Sequence, residues 1–462
     1  MSKEHEKSDR LVVIGGDAAG MTAASKVRRM QPDREIVVIE RSQHTSYAAC
    51  GMPYLISGEV SDPEDLIARS PKEFRDTYKI DVRTEHEAIR LDPSTRTVWM
   101  QDLSSGKESE LVYGDLLIAT GASPIRPDLP GLDLDGVMGL STLDTGLGLL
   151  ERVRREPPGH VVVVGGGYIG IEMAEVFREI GSKVHLIDMA SQVMATLDAD
   201  MAIVIQEAMV ESGVTLSLGE TLGEVRAGSE ASALTVQTSG DHYPADLVIL
   251  GMGVRPNSEL AREAGLELGP KGAISVNDRM QTSDPHIWAA GDCADSLHRV
   301  TGERTWIALG TVANKHGLVA GTNIGGGDVH FPGVVGTAIT RYRDLEIARS
   351  GLSVTEAENS GMNVESRTIT SRTRAGYMPG SEEIHVKLVA APDGRLLGGQ
   401  IVGGVGSGKR IDTVAAALTA GLSVKDLLWM DLSYAPPFSP VWDPVQMAAR
   451  QFDKKQPHRE IE

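Results

Sequence analysis

Cysteine is nearly absent from this sequence. The 462 residues include two cysteines, Cys50 and Cys293, which lie 243 positions apart. So few cysteines at so wide a spacing exclude a disulfide framework of the kind that staples small secreted domains. The segment SYAACGMPY, residues 46–54, therefore raises a question about Cys50. This thiol is either inert and buried or a nucleophile that works without an intramolecular partner.

Basic charge and long apolar runs are also lacking. Lys and Arg number 45 against 64 Asp and Glu, a formal charge of −19, which argues against nucleic acid or an anionic membrane as partner. No apolar run approaches the roughly 20 residues that span a bilayer, and the opening MSKEHEKSDR lacks the apolar core of a signal peptide. We expect a cytoplasmic protein. Few aromatics (4%) and 51 glycines suit an α/β fold of two or three domains.

The first ordered pattern is a nucleotide-binding opening. An apolar run ends in a glycine turn, LVVIGGDAAG, and a helical pattern follows at once. Gly15 and Gly20 match the first and third glycines of G-x-G-x-x-G, whereas Asp17 replaces the middle glycine. A second apolar strand, EIVVIE, ends in Glu40, 20 residues after Gly20, where an acid binds a ribose hydroxyl. The pattern predicts a dinucleotide held at a helix N-terminus.

A second opening of the same kind lies 150 residues further on. The stretch HVVVVGGGYIGIEMAEVF carries Gly165, Gly167 and Gly170 in full register, and KVHLID ends in Asp188, 18 residues later. An acid at this position favours the free 2′-hydroxyl of NADH, and the following residues offer no arginine for the 2′-phosphate of NADPH. NADH is therefore the expected cofactor, with NADPH as the alternative. The chain is therefore predicted to hold two nucleotides.

Three further strand-and-glycine segments complete a family resemblance. They are YGDLLIATGASP (113–124), ADLVILGMGVRPN (245–257) and TSDPHIWAAGDCAD (282–295). With the two openings, they resemble the FAD- and NAD(P)H-dependent pyridine nucleotide–disulfide oxidoreductases. In that family the aspartate of the G-D motif, here Asp292, binds the flavin. Cys293, beside it, is interpreted as a small buried filler.

The resemblance implies an architecture. We expect an α/β fold with two Rossmann-like dinucleotide-binding domains, as in glutathione reductase, and a C-terminal α+β dimerisation domain in a homodimer. The implied domains are 1–120 with 250–325 for FAD, 150–249 for NAD(P)H, and 331–450 for dimerisation. The implied flavin contacts are Gly15, Gly20, Glu40, Arg41, Thr120, Gly121 and Asp292. The implied NAD(P)H contacts are Gly165, Gly167, Gly170, Tyr168, Glu172 and Asp188.

The lone cysteine points to one branch of the family. SYAACGMPYLISG resembles the single-cysteine branch, which contains coenzyme A-disulfide reductases, NADH oxidases and peroxidases, and persulfide reductases. Ala49 stands where the branch typically has asparagine. CGMPYLI is typical of a helix start, which predicts a lowered pKa for the Cys50 thiol.

Three segments favour the coenzyme A-disulfide reductases within that branch. RAGYMPGS and LSYAPPFSPVWDPV contain Tyr377 and Tyr434. Their resemblance to segments of those enzymes implies that both tyrosines reach the partner subunit's active site and assist the departing thiol. The first helix, MTAASKVRRM, supplies a face suited to the phosphates of coenzyme A. The implied substrate contacts are Thr22, Lys26, Arg29 and Ser46.

These observations predict an NAD(P)H-dependent FAD disulfide reductase that uses Cys50, Tyr377 and Tyr434 and needs no metal. Cys50 forms a mixed disulfide with coenzyme A, so the substrate supplies the missing second thiol. Three alternatives stay open. Cys50 could cycle through sulfenic acid in an NADH oxidase or peroxidase, it could accept sulfane sulfur in a persulfide or polysulfide reductase, or the protein could be a flavoprotein electron carrier that needs no thiol.

Overall fold

In the computed structural model, residues 9–229 and 232–453 are described, so most of the opening segment MSKEHEKSDR lies outside them. The helices α1 to α12 of the described residues are, in chain order, Ala18–Met30, Met52–Ser57, Pro71–Asp76, Leu143–Arg155, Tyr168–Ile180, Ala199–Glu211, Glu259–Glu263, Gly310–Ile324, Val354–Asn359, Ile411–Ala420, Val424–Leu428 and Pro444–Asp453. The strands β1 to β25 are Leu11–Ile14, Ile36–Ile39, Asp81–Arg83, His86–Asp92, Thr97–Asp102, Glu108–Val112, Asp115–Ile118, Ala122–Pro124, Val137–Gly139, His160–Val164, Lys183–Asp188, Thr215–Leu218, Leu222–Ser229, Ser232–Thr238, His242–Ala245, Leu247–Leu250, Val254–Pro256, Ile287–Ala289, Ser296–Leu297, Arg304–Thr305, Ala338–Tyr342, Leu345–Gly351, Glu365–Arg372, Glu383–Ala390 and Leu396–Gly403.

A five-stranded parallel sheet forms the first layer, in the order β18-β7-β1-β2-β3. All four residues of β1 (LVVI) and of β2 (IVVI) are buried, as expected for central strands of a parallel sheet, and most of them are β-branched. Helix α1 follows β1 and packs against α8. Strand β18 comes from residues 287–289, so the sheet joins distant parts of the chain.

The second sheet repeats this design. Its order is β12-β11-β10-β16-β9, with all pairings parallel, and helix α5 follows β10. Strand β9, Val137–Gly139, belongs to this sheet because it pairs with β16, although it precedes the predicted start of the domain at residue 150. The prediction of two Rossmann-like units is confirmed, since each consists of a strand, a glycine turn and a helix beside further parallel strands.

The C-terminal part changes architecture, as predicted. Its five strands are antiparallel in the order β21-β22-β25-β24-β23, and α10, α11 and α12 supply apolar side chains to the same core. All eight residues of β25 are buried, so this strand is the centre of the α+β unit. Across all the described residues, no helix combines the length and apolar character that crossing a membrane requires.

Candidate active site

The first nucleotide site depends on two close backbone approaches. Gly15 has φ +106, and a Cβ atom there would lie 2.1 Å from the carbonyl oxygen of Ala119. A Cβ atom on Gly20 would lie 1.9 Å from the carbonyl oxygen of Gly15. Only glycine permits both contacts, which bring the N-terminus of α1 against the end of β1.

Two acids flank this turn. Glu40 accepts hydrogen bonds from the backbone N–H of Gly16 (2.7 Å) and of Ser42 (2.7 Å), which fixes its carboxylate beside the phosphate loop. Asp17 accepts one from the N–H of Tyr47 at 3.2 Å, so the residue that replaces the middle glycine joins the loop to the segment before Cys50. Burial, with the charge of Glu40 next among the effects that raise it, brings the pKa of Asp17 to about 6.

The two crossover segments, which follow β7 and β16, meet each other where β8 pairs with β17. The Thr120 hydroxyl donates to the carbonyl oxygen of Asn257 at 2.6 Å, and the Asn257 side-chain amide donates to the carbonyl oxygen of Thr120 at 2.8 Å. Gly121 has φ +68 and accepts a bond from the Asn257 N–H at 3.0 Å. These reciprocal bonds fasten the two crossovers together, and Asn257 is a site-supporting residue that the sequence patterns did not single out.

Asp292 carries a buried carboxyl oxygen that needs a partner. Its Oδ1 has no hydrogen-bond partner among the described residues, and burial raises its pKa to about 6. Buried polar atoms are normally paired, so an orphaned carboxyl oxygen indicates a bound polar group. The hydroxyl-rich ribityl chain of FAD is such a group, and with the Gly15 and Gly20 turn and Glu40 the residues fit FAD.

The second nucleotide site matches the first closely. Gly165 also has φ +106, and a Cβ atom on Gly170 would lie 1.8 Å from the carbonyl oxygen of Gly165. Asp188 accepts from the N–H of Gly166 (2.5 Å) and of Ala190 (2.8 Å), as Glu40 does in the first site. A Cβ atom on Gly167 would meet open space, so the loop has room for a diphosphate. These residues fit NAD(P)H.

Helix α5 carries two predicted site residues, Tyr168 and Glu172. Tyr168 begins the helix, and burial raises its pKa. Glu172, one turn later, accepts a hydrogen bond from the Thr340 hydroxyl at 2.6 Å. Burial raises the pKa of Glu172, and the bond from Thr340 and the charge of Arg341 act in the opposite direction. Thr340 and Arg341 lie on β21, and no sequence pattern pointed to them.

Cys50 is exposed and lies in a short 3-10 turn, Ala49–Gly51, directly before α2. The expectation of a lowered thiol pKa is wrong for the described chain. Partial removal of solvent raises the pKa of Cys50, and the charges of Glu172 and then Asp292 raise it further. The physical reason is that desolvation, together with the charges of carboxylates from distant segments, outweighs the N-terminus of α2, which has six residues.

The predicted substrate contacts lie on α1 and on the segment that precedes Cys50. The Thr22 hydroxyl donates to Asn314 Oδ1 at 3.1 Å, so this side chain already connects α1 with α8. Lys26 is half-buried and Arg29 is exposed on α1. Ser46 has φ +51, and its N–H donates to the carbonyl oxygen of Gly16 at 3.1 Å. Arg41, predicted for the flavin, is exposed and lies 3.5 Å from Glu87.

The two predicted tyrosines lie together in the C-terminal part. Tyr377 is 75% exposed and Tyr434 is 47% exposed. The pKa of Tyr434 is raised by desolvation and then by its interaction with the neighbouring Tyr377. Cys293 has no exposure at all, and its S–H lies 3.4 Å from the carbonyl oxygens of Ile118 and Ala290, which fits its interpretation as a buried filler.

Two family models match the chain. The one described as pyridine nucleotide-disulphide oxidoreductase matches residues 9–317, which include both nucleotide sites and Cys50. The one described as the dimerisation domain of the same oxidoreductases matches residues 337–444. The matched ranges thus include every predicted site residue.

Individual proteins show the same likeness. A Pyrococcus horikoshii protein named NAD(P)H coenzyme A polysulfide/persulfide reductase is 40% identical over 443 residues, which are 96% of this chain and 98% of that protein. The structure of reduced CoADR-RHD from Bacillus anthracis is 33% identical with a TM-score of 0.92, over 96% of this chain and 80% of that one. The NADH-bound structure of a water-forming NADH oxidase from Lactobacillus brevis is 31% identical with a TM-score of 0.92, over 96% of this chain and 98% of that one.

Proposed function

Because this chain belongs to the pyridine nucleotide-disulphide oxidoreductase family, we propose that it reduces coenzyme A disulfide, or a related low-molecular-weight disulfide or persulfide, through Cys50. The chain is an FAD-dependent NAD(P)H oxidoreductase. The observation that carries the proposal is the isolation of Cys50. This thiol is exposed, whereas the other cysteine, Cys293, is fully buried in the hydrophobic core around the first sheet. The thiol that pairs with Cys50 therefore comes from a substrate.

The chemistry at Cys50 is thiol–disulfide exchange. The Cys50 thiolate attacks one sulfur of the disulfide RS–SR, which forms Cys50–S–SR and releases RS⁻. FAD, when bound, supplies the two-electron relay from NAD(P)H to this mixed disulfide. Two electrons return Cys50 to the thiolate and release the second RS⁻, so one NAD(P)H and one proton convert one disulfide into two thiols.

The other proposed roles surround this step. Glu172 and Tyr168 face the nicotinamide, and Thr22, Lys26, Arg29 and Ser46 contact the substrate. The basic pair on α1 suits a phosphate-bearing substrate such as coenzyme A, and the name of the Pyrococcus relative supports this choice. Tyr377 and Tyr434 of the partner subunit supply protons to the departing thiolates.

A homodimer is part of the proposal. The C-terminal match is to a dimerisation domain, and residues with large apolar side chains stand exposed there. These residues are Tyr377, Trp429, Tyr434, Phe438, Val441 and Trp442. A patch of this kind suits a protein interface. A cytoplasmic location is also proposed, because a free reactive thiol persists under reducing conditions.

An anaerobic experiment tests the function. We would expose pre-reduced, desalted holoenzyme to coenzyme A disulfide, with and without NADH, and measure the mass of the Cys50 peptide. A coenzyme A adduct on Cys50, formed without NADH and removed by it, is the expected result. Cys50→Ser should abolish disulfide turnover and keep flavin reduction by NADH. Cys293→Ser, which retains a donor for the same two carbonyl oxygens, is the matched control.

The other outcomes assign the other functions. The likeness to a water-forming NADH oxidase makes oxygen the second candidate oxidant. An oxidised Cys50 and oxygen-dependent NADH consumption without an adduct would establish that function. A persulfidated Cys50 after exposure to polysulfide would assign persulfide reduction. If Cys50→Ser keeps full turnover with a protein as electron acceptor, the protein is a flavoprotein electron carrier.

A further inference from the structure

Strand β21 of the C-terminal domain reaches the nucleotide helix α5. Thr340, in the middle of this strand, is 8% exposed, and its hydroxyl lies 2.6 Å from Oε1 of Glu172. The strand is held by its register with β22, in which Thr340 pairs with Ile347. The donor is therefore fixed by a sheet outside the domain to which the acceptor belongs.

The carboxylate that receives this bond acts on several ionisable neighbours. Cys50, Tyr54 and Tyr168 all have their pKa values raised in part by the charge of Glu172, and Arg341 offsets that charge from β21. A half-buried carboxylate without a donor would rotate or take up a proton. One bond from a buried hydroxyl fixes Oε1 and leaves Oε2 for a ligand.

We propose that Thr340 is a positioning residue for hydride transfer: its hydroxyl holds the Glu172 carboxylate in the orientation that receives the nicotinamide. The inference rests on the proposed role of Glu172 and extends it by giving the C-terminal domain a part in the NAD(P)H half of the reaction. Thr340 itself need not contact the cofactor.

The test is the rate of flavin reduction by NADH, followed at 450 nm in an anaerobic stopped-flow instrument on holoenzyme variants. Thr340→Val removes the hydroxyl at nearly constant volume, and we expect a decrease of about tenfold at saturating NADH, as for loss of one bond to a charged group. Thr340→Ser keeps the donor and should restore the rate to within about twofold. The matched control is Thr368→Val, which removes the bond from Thr368 to Asp200 at another contact between the same domains.

The pH dependence of flavin reduction distinguishes the loss of this hydrogen bond from a general loss of packing. Loss of the Thr340 bond raises the pKa of Glu172, so the acidic limb of the flavin-reduction profile should move to higher pH in Thr340→Val. The groups that face Glu172 here are Arg341, Cys50, Tyr54 and Tyr168. All four groups are present in both Thr340→Val and Thr340→Ser, and the two variants differ in the hydroxyl at position 340. The serine variant should therefore return the acidic limb to its original position.

The outcomes separate this inference from the proposed function. If Glu172→Gln slows flavin reduction and Thr340→Val does not, the role of Thr340 is overturned and that of Glu172 stands. Equal slowing by Thr340→Ser, or by Thr368→Val, would show a packing effect and also overturn it. If neither Glu172→Gln nor Thr340→Val slows reduction, both roles fail. The coenzyme A adduct on Cys50 forms without NADH, so its absence in wild type would overturn the proposed substrate while the rates still decide Thr340.

Discussion

At the scale of single residues, desolvation and two acidic neighbours raise the pKa of Cys50. The thiol precedes a helix, yet its pKa is raised, because solvent is partly removed and the charges of Glu172 and Asp292 add to that effect. Neither acid is near Cys50 in sequence. The position of the cysteine can be predicted from its motif, whereas its ionisation depends on how three segments meet.

Glu172→Gln should lower the pKa of the Cys50 thiol, because it removes the largest charge effect on that thiol. More thiolate is then present at neutral pH, so iodoacetamide should alkylate Cys50 several-fold faster, with the alkylation curve shifted to lower pH. The rate would be measured by peptide mass between pH 6 and 9. Glu64→Gln, an exposed change in the turn Pro63–Leu66, is the control. A curve that stays in place for Glu172→Gln would contradict this account.

Asp17→Asn should make retention of FAD less sensitive to pH. The pKa of Asp17 is raised to about 6 by burial and by Glu40. The diphosphate of FAD, held at the turn that contains Asp17, would add negative charge there. Binding therefore favours the protonated carboxyl, and the FAD affinity of the natural chain should fall as pH rises above 6, whereas asparagine carries no charge at any pH. Asparagine also serves as an N-cap, so α1 keeps its start.

The measurement for Asp17→Asn is the FAD dissociation constant from flavin fluorescence between pH 5.5 and 8.5. The variant should bind more tightly than the natural chain at the upper end of this range. Asp33→Asn, an exposed change beyond the far end of α1, should behave as the natural chain does. Parallel curves for Asp17→Asn and the natural chain would rule the mechanism out.

At the scale of elements, the two strand–turn–helix units are built alike. The first glycine of each turn has φ +106, and the third lies against the carbonyl oxygen of the first. An acid at the end of the next strand accepts bonds from the turn in both units. These features follow from glycine spacing and strand composition, so this part of the fold could be predicted from sequence.

Equivalent glycine substitutions should cause different losses. Gly20→Ala places a Cβ atom 1.9 Å from the oxygen of Gly15, and Gly170→Ala places one 1.8 Å from that of Gly165. The first should lose FAD, and the second should keep FAD but react poorly with NADH, each at a stability cost of about 1–3 kcal/mol. Flavin content and anaerobic NADH titration would measure this. Gly148→Ala, exposed in α4 with open space around it, should instead stabilise by about 0.5–1 kcal/mol.

At the scale of the whole molecule, the contacts between domains are what the sequence does not reveal. The bonds from Thr340 to Glu172 and from Arg341 to Glu59 join residues more than 160 positions apart. Glu172 belongs to the glycine motif of the second nucleotide site, but Thr340 and Arg341 belong to no motif, because strand β21 is locally complete without these contacts. Strand β9 illustrates the same point, since a strand of three residues is too short for its sequence pattern to predict its pairing with β16.

A buried polar cluster joins the second nucleotide domain to the C-terminal sheet. Asp198, before α6, accepts from the Gln400 amide at 2.8 Å and lies 3.1 Å from Lys387 Nζ. Lys387 also contacts Asp200 at 2.7 Å. Asp198, Lys387 and Gln400 are all less than 10% exposed. The cluster therefore fixes the orientation of these domains by satisfying charges that neither domain can satisfy alone.

Lys387→Met should separate the unfolding of these domains. The substitution keeps an apolar stem of similar length but leaves Asp198 buried without its countercharge, a change that costs about 3–5 kcal/mol. We expect a lower urea midpoint and a biphasic transition by circular dichroism, because the C-terminal sheet then unfolds without the nucleotide domains. Lys409→Met removes an exposed pair with Asp412 in the same domain and should cost less than about 1 kcal/mol. Adding Asp198→Asn to Lys387→Met should recover part of the loss, since the unpaired charge is then gone; a double variant as unstable as the sum of both single variants would mean that packing, and not charge, holds the domains together.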